Sequence, residues 1–364
     1  MVRTTTSHAV ILLVLLAVTA AVYAPLVQAP FVYEDANWMP QAQIRTAVFT
    51  APPSRALTQA TYYWTYSYFN FNPGPWHLTE IGLHLVNGTL VYAVAATLVG
   101  PTVALGSAGL FLLHPLNSEA VSYVSARTDL LSTMFVLVAV LLALGSGGWW
   151  WRMVGCAVSL ALAAMSKEIG VVGVPLVLLS VVLWRRASVP RLSFLVTVLW
   201  VLLGAMIGAL WDQVHAYLTM SSSTSGSSVS VQEYAVLQAA LVWKFLVMVM
   251  WPTGLTVDHD VAAFGLTWLA LSAVGIGAAL IVAVVAWRRA PMVTWTIGWV
   301  ALALAPRFMV RSGEFLNEHQ VYLAMIGAWI GIATLSARLW GWVVSDDDAK
   351  FWEMYHAQQR VGVL

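Results

Sequence analysis

Two adjacent carboxylates, Glu34 and Asp35, follow an apolar run in the stretch Phe31-Val32-Tyr33-Glu34-Asp35-Ala36. At such a boundary one carboxylate can take a proton from an acceptor hydroxyl as general base. Its neighbour can orient the acceptor or hold a cation. The structural alternative is an acidic pair capping a short helix. Residues 114–129 form a second concentration, with His114, Glu119, Arg127 and Asp129 in one polar turn between apolar runs. The guanidinium of Arg127 matches a phosphate in bidentate fashion, or it pairs with Glu119 or Asp129. Ser166-Lys167-Glu168 interrupts two further apolar runs with no other polar padding. Lys167 and Glu168 either neutralise one another or belong to a site. Arg307, Arg311, Glu318 and His319 make the last cluster. His77, Glu80 and His84 share a helical face by their spacing. That face reads as a hydrogen-bonded bundle surface more than as a metal site.

The elements that position these groups are apolar. The chain has 364 residues, 60% hydrophobic and 9% charged, against about 25% charged in a soluble domain. Lipid is the solvent that such a composition suits. A spanning helix takes about 20 apolar residues, and runs of that kind recur at about 9–27, 80–99, 101–114, 129–146, 150–166, 168–184, 192–211, 264–287, 292–306 and 320–338. The expected fold is an all-α polytopic bundle of about ten transmembrane helices. The first run follows Arg3 and is long for a cleaved signal, so it is expected to stay as a helix. Residues 234–252 are apolar but interrupted by Lys244 and Trp251-Pro252, and are expected to lie in the interface. The net charge of +1 and the absence of a basic cluster give no sign of nucleic-acid binding, and the single Cys156 excludes an internal disulfide framework.

Basic residues favour the cytoplasmic side. Arg3, Arg152, Arg185, Arg186, Arg191, Arg288 and Arg289 serve as anchors on that side. Both termini are then cytoplasmic, in an integral multi-pass protein. Residues 1–341 form the membrane domain, with outer loops at 28–79 and 212–263, and 342–364 form a short cytoplasmic tail. The first outer loop, rich in Tyr, Trp and Phe, is expected to hold amphipathic interfacial helices. Most of the remaining ionisable residues collect on the other side of the membrane, as a site opening outward would require, while the acidic tail with Asp346, Asp347 and Asp348 falls inside.

These motifs, taken in order, resemble the transmembrane part of the TMTC-type O-mannosyltransferases, relatives of the protein O-mannosyltransferases in the GT-C class. The stations are Glu34-Asp35, Arg55-Ala56-Leu57-Thr58, His77 through His84, His114-Pro115-Leu116-Asn117-Ser118-Glu119, Arg127-Thr128-Asp129, Ser166-Lys167-Glu168, Trp251-Pro252 with Asp258, and Glu318-His319-Gln320-Val321-Tyr322. The sequence departs from that family at Glu34, Glu80 and His319, and no tetratricopeptide repeats are seen.

The resemblance implies an inverting transfer of a mannose-like sugar from a polyprenyl-phosphate carrier to a protein or glycan acceptor, on the periplasmic or lumenal side. It implies Asp35 or Glu34 as base. Arg127, Lys167, Arg307 and Arg311 would hold the lipid phosphate, supported by His114, Glu119, Asp129, Glu168, Glu318 and His319. No nucleotide is needed, no cofactor is called for with certainty, and a divalent cation stays open. Membrane lipids are partners in any case. Two other readings stand beside the enzyme: a non-catalytic subunit of a larger membrane complex on the same scaffold, and a transporter.

Overall fold

The computed structural model describes residues 2–32, 35–36, 53–146, 148–184, 204, 231–256, 259, 265–309 and 317–339. Glu34, Arg311, Asp258, the apolar run 192–211 apart from residue 204, and the tail 342–364 lie outside the described residues.

Among the described residues the chain is helical throughout, with no strand. Twelve α-helices follow one another: α1 (Val2–Tyr23), α2 (Ala56–Phe69), α3 (Pro73–Val99), α4 (Pro101–Leu113), α5 (Ser118–Ser122), α6 (Arg127–Leu144), α7 (Trp149–Ser166), α8 (Gly173–Trp184), α9 (Val231–Met250), α10 (Leu266–Ala286), α11 (Pro291–Met309) and α12 (Tyr322–Leu339). Among the described residues five segments are long and apolar enough to cross a membrane: Ser7–Gln28, Pro73–Val99, Val124–Leu144, Thr267–Ala286 and Glu318–Leu339. These fit an integral membrane protein. Shorter apolar helices cover Pro101–Leu113, Trp150–Ser166, Glu168–Trp184 and Val236–Met250.

Proline and glycine punctuate the bundle. Pro73 opens α3 behind Asn72, whose side chain accepts the Gly74 N–H at 3.3 Å, a start signal of the expected kind. The helix therefore begins about two turns before residue 80, where the apolar run starts. Gly100, with φ of 94°, ends α3, and Pro101 opens α4 directly. Only glycine takes that backbone angle without strain. The hairpin brings Gly88 against the side chain of Leu112, closer than a Cβ would allow. Small residues at such crossings let helices approach without losing backbone hydrogen bonds.

Short connections make sequential helices antiparallel neighbours. Side-chain contacts fix the levels. Trp184 at the end of α8 donates to the Leu98 carbonyl near the end of α3. Trp295 on α11 donates to Ser180 on α8, and Trp299 donates to the Leu323 carbonyl on α12. The rings of Trp295 and Trp299 lie 4.7 Å apart inside the core.

Two ends of the bundle result. One holds the ends of α1, α4, α7 and α11 and the starts of α3, α6, α8, α10 and α12. Helix α9 lies across that end. Gln238 near its start bonds Arg307 at the end of α11. The Val249 carbonyl near its finish meets His114, just past α4. From Gln238 to Val249 a helix rises only about 16 Å, and both points touch the same end.

Candidate functional site

The charged residues of the sequence motifs converge on the end that α9 crosses. Asp35, after α1, is 1% exposed. Its Oδ2 accepts the Val124 N–H at 2.7 Å and its Oδ1 accepts the Ser125 N–H at 3.1 Å. The Ser125 hydroxyl donates to the same Oδ1. Burial pushes this carboxyl up to about 6, against the opposing pull of the Ser125 and Val124 hydrogen bonds and the nearby Arg127 charge. An ionised carboxylate has about four lone-pair positions, so a fourth partner can still be accepted.

Arg127 opens α6 and is fully buried. Its Nε donates to Glu80 Oε1 at 2.6 Å. Its Nη1 reaches the hydroxyls of Thr65 at 3.1 Å and Thr61 at 3.4 Å, both on α2. The guanidinium carbon sits 4.7 Å from the Tyr62 ring centroid and 5.2 Å from that of Trp76. Tyr62 in turn donates its hydroxyl to the Val124 carbonyl at 2.9 Å. One continuous path thus runs from Glu80 through Arg127 and Tyr62 to the peptide that holds Asp35. Arg127 pairs with neither Glu119 nor Asp129, the two partners its sequence neighbourhood suggested. Arg127 Nη2 and Glu80 Oε2 are buried with no protein partner.

Asp129, two residues further, receives Lys167 Nζ on both oxygens, at 2.8 and 2.7 Å. Lys167 belongs to the turn between α7 and α8, and its side chain keeps 13% exposure. An ammonium has three donors, and Asp129 uses two. His319 Nε2 stands 3.9 Å from the same carboxylate. The other face of His319 is held by Glu119, which accepts the His319 backbone N–H at 2.8 Å and meets Nδ1 at 2.9 Å. Arg307 feels the Asp129 charge and is held by Gln238 and by Gln320, the latter at 2.5 Å.

Glu168 turns away from Lys167. It makes a two-point ion pair with Arg55, at 2.8 and 3.3 Å, with both side chains about half exposed. Glu318 accepts from the Thr256 N–H at 2.7 Å and contacts His259 Nε2 at 3.1 Å. His114 accepts the Leu116 N–H at 3.2 Å and stacks near Trp329, its ring centroid 4.7 Å away.

The structure thus brings together Lys167, Asp129, His319 and Glu119, with Arg307 beside them. Asp35, Arg127 and Glu80 form the adjoining group. The path through Thr61, Tyr62, Thr65 and Trp76, and the Glu318–His259 contact, are additions that motif reading did not supply. Threonines at positions 61 and 65, one turn apart in an aromatic helix, are the only advance sign of the first. The three residues of the His77, Glu80 and His84 face part company. Glu80 is spent on Arg127, and His84 contacts the Tyr322 hydroxyl at 2.7 Å and the Leu112 carbonyl. Among the described residues no cluster of three or more His, Cys, Asp or Glu is placed to hold a metal.

Over 122 residues the chain is 30% identical to the protein O-mannosyl-transferase TMTC3 of Mus musculus. The similarity is local. It covers 32% of this chain and 13% of the mouse protein. No family model and no solved structure matches the chain. The match points in the direction of the motif resemblance.

Proposed function

We propose that the chain is a GT-C-type membrane glycosyltransferase of about ten spans, moving a mannose-like sugar from a polyprenyl-phosphate carrier to a protein or glycan hydroxyl. The site faces the periplasm or lumen, and both termini face the cytoplasm. The observation that carries this reading is Lys167, bound to both oxygens of Asp129 with one donor left over, beside His319 and Arg307 at the end of an apolar bundle. A carrier phosphate placed there meets fixed positive charge, which stabilises it as it leaves the sugar. The local similarity to an O-mannosyltransferase supports the same reaction class.

In this reading Asp35 or Glu34 takes the acceptor proton as the new glycosidic bond forms at the anomeric carbon. Attack comes from the face opposite the phosphate, so the configuration inverts. Asp35 is enclosed, so it acts as base only when the arriving acceptor uncovers it. Arg127 has a supporting part, since its charge is already matched by Glu80. Its role is to hold Tyr62 and so the Val124–Ser125 peptide under Asp35.

A second reading has its own support. Asp35 is enclosed and Arg127 is neutralised, as they would be in a non-catalytic subunit that kept the scaffold. Purified protein in lipid, given radiolabelled polyprenyl-phosphate mannose and, separately, glucose, with a membrane extract as acceptor, separates the two. Transfer by the unaltered chain and none by the double variant Glu34→Gln, Asp35→Asn supports the enzyme. No transfer from either donor, together with a stable copurifying partner, supports the subunit.

A further inference from the structure

A groove of about 730 Å³ runs along α11, walled by α9, α10 and α12. Its lining extends from Met292, near the start of α11, to Phe308, near its end. Sixteen helical steps span about 24 Å, most of the roughly 30 Å hydrocarbon layer. The lining is aliphatic and aromatic apart from two threonines, the Trp243 ring nitrogen and one charged residue, Arg338. Trp243 is occupied by the Ser272 carbonyl, and the Thr334 hydroxyl turns back to Ile330.

The charged residue of the lining lies at one end. Helix α9 closes the end nearer the candidate site with Trp243, Leu246 and Met250. At the other end Arg338 is exposed on the last turn of α12. The α10–α11 turn, with Arg288 and Arg289 also exposed, lies at that same end. Among the described residues none of these three arginines makes an ion pair. An apolar trough within a membrane protein takes a hydrocarbon chain. Arg338 in the lining, with Arg288 and Arg289 at the same end, favours a chain whose head carries negative charge there.

We propose that this groove is a binding site for an anionic phospholipid. Its acyl chain lies along α11, and its phosphate meets Arg338 and the Arg288–Arg289 turn, at the end of the bundle remote from the candidate site. The proposal does not depend on the glycosyltransferase reading, and it stands equally for a non-catalytic subunit.

The test is native mass spectrometry of the full chain released from nanodiscs of phosphatidylglycerol or phosphatidylcholine with the same acyl chains. Retained phosphatidylglycerol is expected, with phosphatidylcholine lost. Arg338→Ala and the double variant Arg288→Ala, Arg289→Ala should each reduce retention, by about fivefold per arginine. Arg338→Lys should preserve it. Ala305→Trp, which fills the groove and leaves the arginines in place, should abolish it. Each variant is read in the same spectrum as its folded charge-state envelope, which keeps a misfolded protein apart from an unoccupied one. Equal retention of both lipids would overturn the proposal, as would retention unaffected by Ala305→Trp. Displacement of the bound lipid by added polyprenyl phosphate would assign the groove to the carrier and overturn it too.

Discussion

The Asp35 carboxylate is held by the Val124 peptide N–H at 2.7 Å, across 89 positions of sequence. Burial raises its pKa to about 6, while the Ser125 and Val124 bonds and Arg127 act in the opposite direction. A general base must be ionised, so transfer should fall away as pH drops through about 6. Ser125→Ala removes a bond that favours the carboxylate and should move this acid limb to higher pH. The rate of sugar transfer against pH checks it. A limb that stays in place in Ser125→Ala would remove Asp35 from the role of base.

Arg127 and Glu80 are both fully buried. Arg127→Ala leaves Glu80 stranded and should cost about 3–5 kcal/mol. Replacing both, as Arg127→Met with Glu80→Leu, should recover most of that loss. Thermal unfolding in detergent measures the two variants. Turnover retained by the apolar pair would confirm that Arg127 never touches the donor phosphate.

Lys167 is expected to bind donor directly, so Lys167→Gln should raise the donor KM by about tenfold, the worth of one charge-assisted hydrogen bond. The substitution also strands Asp129. The double variant Lys167→Gln, Asp129→Asn removes that burden and should restore stability without restoring KM.

Gly170 lies in the turn after Lys167, and its N–H bonds the Lys167 carbonyl at 2.8 Å. A Cβ there would stand 2.3 Å from the backbone carbon and oxygen of Ala163. At Gly88 the equivalent clash is with the Leu112 side chain, which has rotamers to give. Gly170→Ala should therefore cost about 1–3 kcal/mol, more than Gly88→Ala, and should lower donor affinity by displacing Lys167. Paired unfolding and binding curves test both parts.

The helices were readable because lipid makes the apolar run itself the signal, and Gly100, Pro101 and the Lys167 turn interrupt it visibly. The start of α3 was less readable. Trp76, His77 and Glu80 give its first turns a loop-like polarity, and only Tyr62 and Arg127, brought from distant positions, make those turns a buried helix. The same cause explains the site. Asp35, Asp129, Lys167, Glu119 and His319 stood out as charges at helix ends. Which charge would meet which depends on helix packing that single-chain spacing does not encode. Arg127 shows this well, for a buried guanidinium between two rings has the same one-letter neighbourhood as one awaiting phosphate. Tyr62 and Trp76 looked like aromatics of the membrane interface, yet they wall that guanidinium.

Glu119 grips His319 across 200 positions of chain, and the neighbouring Glu318 binds the Thr256 strand of backbone that follows α9. A membrane protein is threaded into the bilayer from its first helix onward. For most of its synthesis this chain therefore carries Glu119 and Asp129 without their His319 contact. The arrangement can close only when His319, in the turn before α12, arrives. A chain inserted only as far as α11 therefore lacks the Glu119–His319 contact that ties the turn before α12 to α5.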